Sequence, residues 1–290
     1  MKILVTGATG NVGGEVVRCL IERGIEVRAL ARKPESVKFP TGVEVVPGDL
    51  TDPDSIRAAM NGVEKLFLLN AVVADELTQA LITYGIAKRA AIKHVAYVSV
   101  YKADRFLDVP HFASKVAVEN ALKEFGIPYT ILRPGYFFQN DLSLKPLLEN
   151  VGIYPMPIGN AGISAIDSRD VAGAAAVTLT QPGHEGQTYN LVSSSQITGP
   201  GNAALWSKAL GKPIAYTGED FDGFEKQMSS QMPAWMAYDM RTMLEGYVQR
   251  GFASTQADVD RVTKLLGRAP RTYEALVQEA AGEWSKANQR

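Results

Sequence analysis

A ten-residue stretch near the amino end, Val5-Thr6-Gly7-Ala8-Thr9-Gly10-Asn11-Val12-Gly13-Gly14, limits what this chain can fold into more than any other feature. It follows a short β-branched run, Lys2 to Thr6, and opens a helical pattern in which Val12, Val16 and Leu20 recur at four-residue spacing. Each glycine has a physical assignment: Gly7 permits a tight turn, Gly10 lets backbone approach a pyrophosphate, and Gly13 lets the helix pack closely on the strands. Free N–H groups at the helix start receive the negative charge, so Gly7, Thr9, Gly10, Asn11, Val12 and Gly13 form a candidate phosphate-binding turn. A glycine triplet alone says little. Here a strand precedes it, a helix follows, and a second strand ends at Ala31, which is the context such a motif requires. The competing reading is a structural glycine turn in some other α/β protein.

Further along, β-branched runs alternate with helical patterns, the mark of a parallel sheet wrapped by crossover helices. Strands are predicted at Lys2 to Thr6, Glu26 to Ala31, Val43 to Pro47, Lys65 to Leu69, His94 to Ser99, Tyr129 to Arg133 and Thr188 to Val192. Several are almost continuously apolar, as strands covered on both faces must be. Helices are predicted over Asn11 to Arg23, from the Asp52-Pro53 cap to Asn61-Gly62, and over Asp75 to Ile92, Phe112 to Phe125 and Asp167 to Thr180. After Tyr136, aromatic and proline-rich segments lead into a helical tail holding Trp206, Trp235 and Trp284. The expected architecture is α/β: a Rossmann doubly wound parallel sheet over residues 1–135, to which residues 166–193 return, and a smaller, mainly helical lobe over 136–290.

Composition excludes other classes. Lys+Arg 30 against Asp+Glu 31 is an even balance that gives nucleic acid no basic surface to read. Cys19 is the single cysteine, so no intrachain disulfide or cysteine metal cluster forms, and a reducing, cytoplasmic setting is expected. His94, His111 and His184 lack the paired spacing of a metal site, and no apolar run reaches membrane-spanning length.

The end of the second strand selects the cofactor. A carboxylate there takes the ribose 2′-hydroxyl of NAD, whereas a 2′-phosphate needs positive charge. This chain has Ala31-Arg32-Lys33. Arg32 can offer a paired donor set to phosphate and Lys33 a point charge, which favours NADP(H) over NAD(H); the alternative is a solvated turn. Gly48, Asp49 and Leu50, after the third strand, are placed to edge the adenine. Leu69, Asn70 and Ala71, after the fourth, flank the ribose and pyrophosphate, since ligands gather at strand C-terminal ends.

The stretch Thr6 to Gly14 resembles the short-chain dehydrogenase/reductase superfamily. The block His111-Phe112-Ala113-Ser114-Lys115, with Ile131-Leu132-Arg133-Pro134-Gly135-Tyr136-Phe137, is similar to its atypical NmrA-like group, which includes quinone and triphenylmethane-dye reductases, ether reductases and NADP-sensing regulators. The resemblance implies that Lys115 reaches the nicotinamide ribose and that Phe137, Phe138 and Asn140 border the nicotinamide end. Lys115 also stands oddly against the dipole at a helix start, which favours a negative or hydroxylated partner; the alternative is a solvated surface lysine. The superfamily's usual tyrosine, four residues before the lysine, is replaced by His111, and Tyr101 lies too far upstream to substitute. An imidazole can donate a proton near neutral pH, although a histidine at a helix start is as readily a packing residue.

Without that tyrosine, the chemistry that survives is hydride transfer to a delocalised acceptor such as a quinone, enone or dye, which needs orientation and a dry pocket more than a strong acid. Tyr136, Phe137, Phe138 and Tyr154 offer a flat apolar wall or, equally, core packing. Two functions follow: an NADPH-dependent oxidoreductase acting on a small molecule, with Lys115 and His111 at the reacting end, or an NADP(H)-binding sensor that acts through a protein partner. A nucleotide-sugar epimerase is disfavoured, because it needs the missing tyrosine.

Overall fold

The computed structural model describes residues 1–288 and divides into two compact units. The first holds residues 1–107, 111–133 and 168–190; the second holds 108–110, 134–167 and 191–290. No helix among the described residues is long and apolar enough to cross a membrane.

The first unit is the doubly wound sheet that the strand and helix alternation predicts. Its elements in order are β1 (Lys2–Val5), α1 (Asn11–Ile21), β2 (Glu26–Ala31), β3 (Val43–Pro47), α2 (Pro53–Met60), β4 (Lys65–Leu68), α3 (Glu76–Arg89), β5 (His94–Val98), α4 (Pro110–Phe125) and β6 (Tyr129–Pro134). The chain then leaves for β7 (Tyr136–Phe137), β8 (Ile153–Tyr154) and β9 (Ile163–Ile166), and returns through α5 (Ser168–Thr180) and β10 (Gln187–Leu191). The sheet has seven strands in the order β10-β6-β5-β4-β1-β2-β3. β1 lies between β2 and β4, parallel to both, with Val5 opposite Ala29 on one side and Phe67 on the other. The strand order reverses between β1 and β4, and in open α/β sheets the ligand crevice lies at that reversal.

Local chemistry sets the boundaries. α1 buries Val12, Val16, Val17 and Leu20, and the turn that follows it passes through Gly24 at φ +70°, a left-handed conformation that glycine adopts without a Cβ clash. Asp52 caps α2 by accepting from the Asp54 amide at 3.0 Å, with Pro53 pre-set in the first turn. α4 starts at Pro110, two residues earlier than the apolar pattern indicates, because proline gives up no hydrogen bond at a helix start. α3 stops at Arg89, short of Ile92, where Ala91 turns left-handed at φ +53° to feed β5.

His94, on β5, is buried and bonds through Nε2 to the Thr130 hydroxyl at 2.9 Å, which itself donates to the His184 carbonyl at 2.7 Å. The proton therefore sits on Nε2, and the buried Nδ1 has no acceptor beside it. Burial first, and then the Lys65 charge, push His94 down to about 4. A histidine held neutral adds stability above its ordinary value of 6.5, and that stability is lost as pH falls towards 4. Between pH 7 and pH 5 the wild type is expected to lose up to about 2 kcal/mol more than His94→Gln, read by denaturant unfolding at both pH values. Equal losses would show that His94 is not the titrating group.

The second unit is mainly helical, as the tail composition indicates, with α6 (Gly199–Leu210), α7 (Phe221–Ser229), α8 (Ala234–Arg250), α9 (Gln256–Leu266) and α10 (Tyr273–Asn288). It also carries two small sheets that the sequence reading did not anticipate. β11 (Gln196–Ile197), β9 and β7 form one of three strands, and β12 (Ala215–Tyr216) pairs with β8 in the other. Its polar centre is Asp141, fully buried, which accepts from the hydroxyls of Tyr154 at 2.8 Å and Tyr273 and from the Asn202 amide at 3.3 Å. Trp206 donates to the Tyr273 hydroxyl at 2.9 Å and stacks on Trp284 at 4.9 Å. Burial raises Asp141 to about 6 in spite of these donors. Its sign is opposite to that of His94: the stabilisation is full below 3.8 and is lost as pH rises through 6. Because Asp141 titrates in both proteins of the His94 comparison, it cancels there.

Candidate functional site

β1 delivers the glycine turn to the sheet's C-terminal edge, and Thr6 fixes it there. The Thr6 amide donates to the Phe67 carbonyl at 3.1 Å, while its hydroxyl donates to the Leu69 carbonyl at 2.9 Å and accepts from the Leu69 amide at 2.8 Å. The last residues of β1 and β4 are thereby tied together at the reversal of strand order. Thr6 carries no signal in the sequence beyond its place before Gly7, and its role went unread.

Gly7 adopts φ +61°, so the turn needs a residue tolerant of the left-handed region. A Cβ on Gly13 would lie 2.1 Å from the Gly7 carbonyl oxygen and 2.9 Å from the Ala8 Cα, which makes Gly13 the contact that lets α1 sit on the turn. Gly10 is the N-cap of α1, with no side-chain cap and no acidic residue in the first turn. The leading amides of this helix therefore have no side-chain cap and stand at the positive end of its dipole. Thr9, Gly10 and Asn11 are exposed at this end, whereas the Val12 side chain is buried in the core, so Val12 can contribute only its backbone.

A groove with about 700 Å³ of open space runs from this turn across the ends of β2, β3 and β4. It brings together eight of the sequence-predicted residues: Gly7, Thr9, Arg32, Gly48, Asp49, Leu50, Leu69 and Ala71. Val73 and Gln79 also line it, and the sequence does not single them out as site residues. Arg32 is exposed at the end of β2 and forms no salt bridge among the described residues. Asp49 accepts from both the amide and the hydroxyl of Thr51, at 2.8 and 2.6 Å. The hydroxyl bond first, and the nearby Arg32 charge last, hold the Asp49 carboxyl below its usual range.

Gly10, Asn11, Val12 and Gly13 of the turn are not part of that lining, and neither are Lys33 and Asn70. Lys33 belongs to the following turn, where its carbonyl takes the Ser36 amide and hydroxyl at 3.1 and 2.8 Å. Asn70 is buried, with its amide 3.5 Å from Gln79 Oε1 and its own Oδ1 without a partner among the described residues. The groove fits a dinucleotide on three counts: an uncapped helix start, a turn that a Cβ would obstruct, and a cation at the far side.

Lys115 is buried rather than solvated. Its ammonium pairs with Glu76 Oε1 and lies 5.6 Å from the centroid of the Tyr97 ring. Glu76 is the negative partner that a lysine near a helix start demands, and it was not anticipated, because an acid in a first turn reads as solvated. His111, one helical turn before Lys115 on α4, is half-buried and meets Phe112 edge-on at 4.6 Å.

Phe137, Phe138 and Asn140 belong to the second unit. Phe138 is fully buried and packs edge-on against Tyr273 at 5.3 Å, and Tyr154 is fully buried against Asp141. Of the two readings open for Tyr136, Phe138 and Tyr154, a ligand-facing wall or core packing, these side chains are core, with the tyrosine hydroxyls bonded to a buried carboxylate. Phe137 is half-buried and Asn140 is exposed.

The chain is 31% identical over 290 residues to an NAD(P)H azoreductase of Xenophilus azovorans, covering 98% of this chain and 100% of that one. Its fold matches the NADPH-dependent quinone oxidoreductase of Escherichia coli in complex with NADPH, with TM-score 0.86 and 28% identity over 96% of this chain and 99% of that one. It also matches the triphenylmethane reductase of Citrobacter sp. complexed with NADP(H), with TM-score 0.85 and 28% identity over 97% and 100%. The model of the NmrA-like family spans residues 1–274, and this chain belongs to that family.

Proposed function

We propose that the chain is an NADPH-dependent reductase that reduces a small conjugated acceptor of the quinone or dye type. One observation carries the reading: Gly7, at the head of an uncapped helix, and Arg32, at the end of the neighbouring strand, line the same groove at the strand-order reversal. The α1 amides would take the pyrophosphate and the Arg32 guanidinium the 2′-phosphate. Asp49 spends lone pairs on Thr51, which lessens its conflict with a phosphate nearby and leaves it at the adenine edge. When bound, the reduced nicotinamide supplies the hydride.

The protein's part is to bind, orient and shield. Lys115, buried and charged beside Glu76, would hold the ribose, and His111 offers a proton donor one turn away on the same helix. The relatives named as azoreductase, quinone oxidoreductase and triphenylmethane reductase share conjugated acceptors. Such acceptors delocalise incoming charge and tolerate the absence of the superfamily's tyrosine. NADPH oxidation followed optically across a panel of quinones, azo dyes and triphenylmethane dyes is expected to show saturable turnover, with NADPH preferred over NADH by at least about tenfold in kcat/KM. Tight NADPH binding with no turnover on any acceptor would replace the reductase by a sensor.

A further inference from the structure

Of the five buried polar atoms in the first unit without a hydrogen-bond partner among the described residues, three cluster around α3, β4 and β5: Glu76 Oε2, Asn70 Oδ1 and the Tyr97 hydroxyl; the other two are Arg28 Nε and His94 Nδ1. Glu76, Asn70 and Tyr97 are 2%, 3% and 0% exposed. Leaving even one such atom unpaired costs about 1–3 kcal/mol, and more for a carboxylate, so a group of three calls for a ligand. They come from neighbouring elements. Asn70 follows β4, Tyr97 is the penultimate residue of β5, and Glu76 opens α3.

Lys115 ties two of them together, through its ion pair to Glu76 and its approach to the Tyr97 ring. Gln79, one turn after Glu76 on α3, reaches Asn70 at 3.5 Å and itself lines the groove. Burial first, and then the charges of Glu76 and Glu119, push the Tyr97 phenol well above its usual range, so it is a neutral hydroxyl. The cluster therefore gathers two acceptors, a hydroxyl and an ammonium behind Gln79, the member of α3 that lines the groove.

Direction decides what they meet. Arg32 and Asp49 place the adenosine end over β2 and β3, so a dinucleotide crossing the reversal must run on towards β4 and β5. We infer that Glu76 is a positioning residue for the nicotinamide end of the cofactor: Oε1 holds the Lys115 ammonium, while Oε2, with Asn70 Oδ1, accepts from the donors of that end. Those donors are the ribose hydroxyls and the carboxamide. The inference rests on the NADPH reading above and extends it to a carboxylate whose role there is only to pair with lysine.

The test separates the two ends of the cofactor. Calorimetry on the full chain would measure Kd for NADPH and for 2′,5′-ADP, which carries the adenosine end alone, in the wild type, Glu76→Gln and Tyr97→Phe. Glu76→Gln keeps the side-chain volume and is expected to raise the NADPH Kd at least about tenfold, the loss of one charge-assisted hydrogen bond, with 2′,5′-ADP unchanged within about twofold. Tyr97→Phe leaves the ion pair intact and is expected to raise the NADPH Kd about threefold, again with 2′,5′-ADP unchanged, so the inference stays testable if Glu76→Gln fails to fold. An unchanged NADPH Kd in either folded variant, or equal losses for both ligands, would make the cluster structural and overturn the inference. If the wild type bound 2′,5′-ADP and NADPH equally well, the nicotinamide end would have no anchor and the inference would fail while the adenosine site stood. If it bound neither, the cofactor reading itself would fall.

Discussion

Gly13→Ala is expected to raise the NADPH Kd by roughly a hundredfold and to cost about 2–4 kcal/mol of stability. The added carbon would lie 2.1 Å from the Gly7 oxygen, 2.6 Å from its carbonyl carbon and 2.9 Å from the Ala8 Cα. All three atoms are backbone, so no rotamer relieves the clash, and α1 must move away from the turn by about 1 Å or more. That movement opens the Gly10 amide to Gly7 carbonyl bond, now 3.0 Å, and re-aims the amides that would meet the pyrophosphate. A misplacement of about 1 Å in a preorganised site costs roughly a hundredfold. Gly14→Ala is the control, since its Cβ would meet only the Ala8 carbonyl oxygen at 3.5 Å, an ordinary contact. It is expected to bind NADPH within about twofold of wild type and to gain helix propensity. Calorimetry and denaturation midpoints on both variants decide the matter, and normal binding by Gly13→Ala would remove the turn from the cofactor site.

The contrast between Gly13 and Glu76 shows what the sequence made legible. Gly13 belongs to a local pattern in which strand, turn and helix follow within a few residues, so spacing alone assigned its packing role. The same locality made β1 to β6 readable, because buried parallel strands are short apolar runs bounded by turn residues. Glu76 is different: its partner Lys115 lies 39 residues away on another helix, and nothing local separates a buried first-turn acid from a solvated one. Tyr97 reads as one more apolar strand residue, and its unpaired hydroxyl shows only when β5 packs beside α4. Phe138 and Tyr154 illustrate the opposite failure. Their aromatic character was legible, but whether it faced a ligand or a core depended on Asp141 and Tyr273, the latter 132 residues beyond Asp141.

Arg32→Ala is the second large effect, and it acts on selectivity rather than on folding. Arg32 is exposed, and no salt bridge among the described residues depends on it, so its removal should leave stability within about 0.5 kcal/mol. The guanidinium would offer two charge-assisted hydrogen bonds to a 2′-phosphate, each worth about 1.5–3 kcal/mol, part of which water returns when they are lost. The NADPH Kd is therefore expected to rise about a hundredfold, while the NADH Kd, with no phosphate to lose, stays within about threefold. Arg32→Lys keeps the charge without the planar fork and should fall between, near a tenfold loss. Lys33 reads from the sequence as an added point charge beside Arg32, but its residue sits outside the groove lining, in a turn held through its carbonyl by Ser36. Lys33→Ala is accordingly expected to change neither affinity by more than about twofold, since a solvated cation at the rim contributes little. Equal losses of NADPH and NADH in Arg32→Ala would mean that the guanidinium supports the groove instead of reading the phosphate. The preference for NADPH would then have to come from the α1 amides alone, which cannot tell the two cofactors apart because both carry the same pyrophosphate.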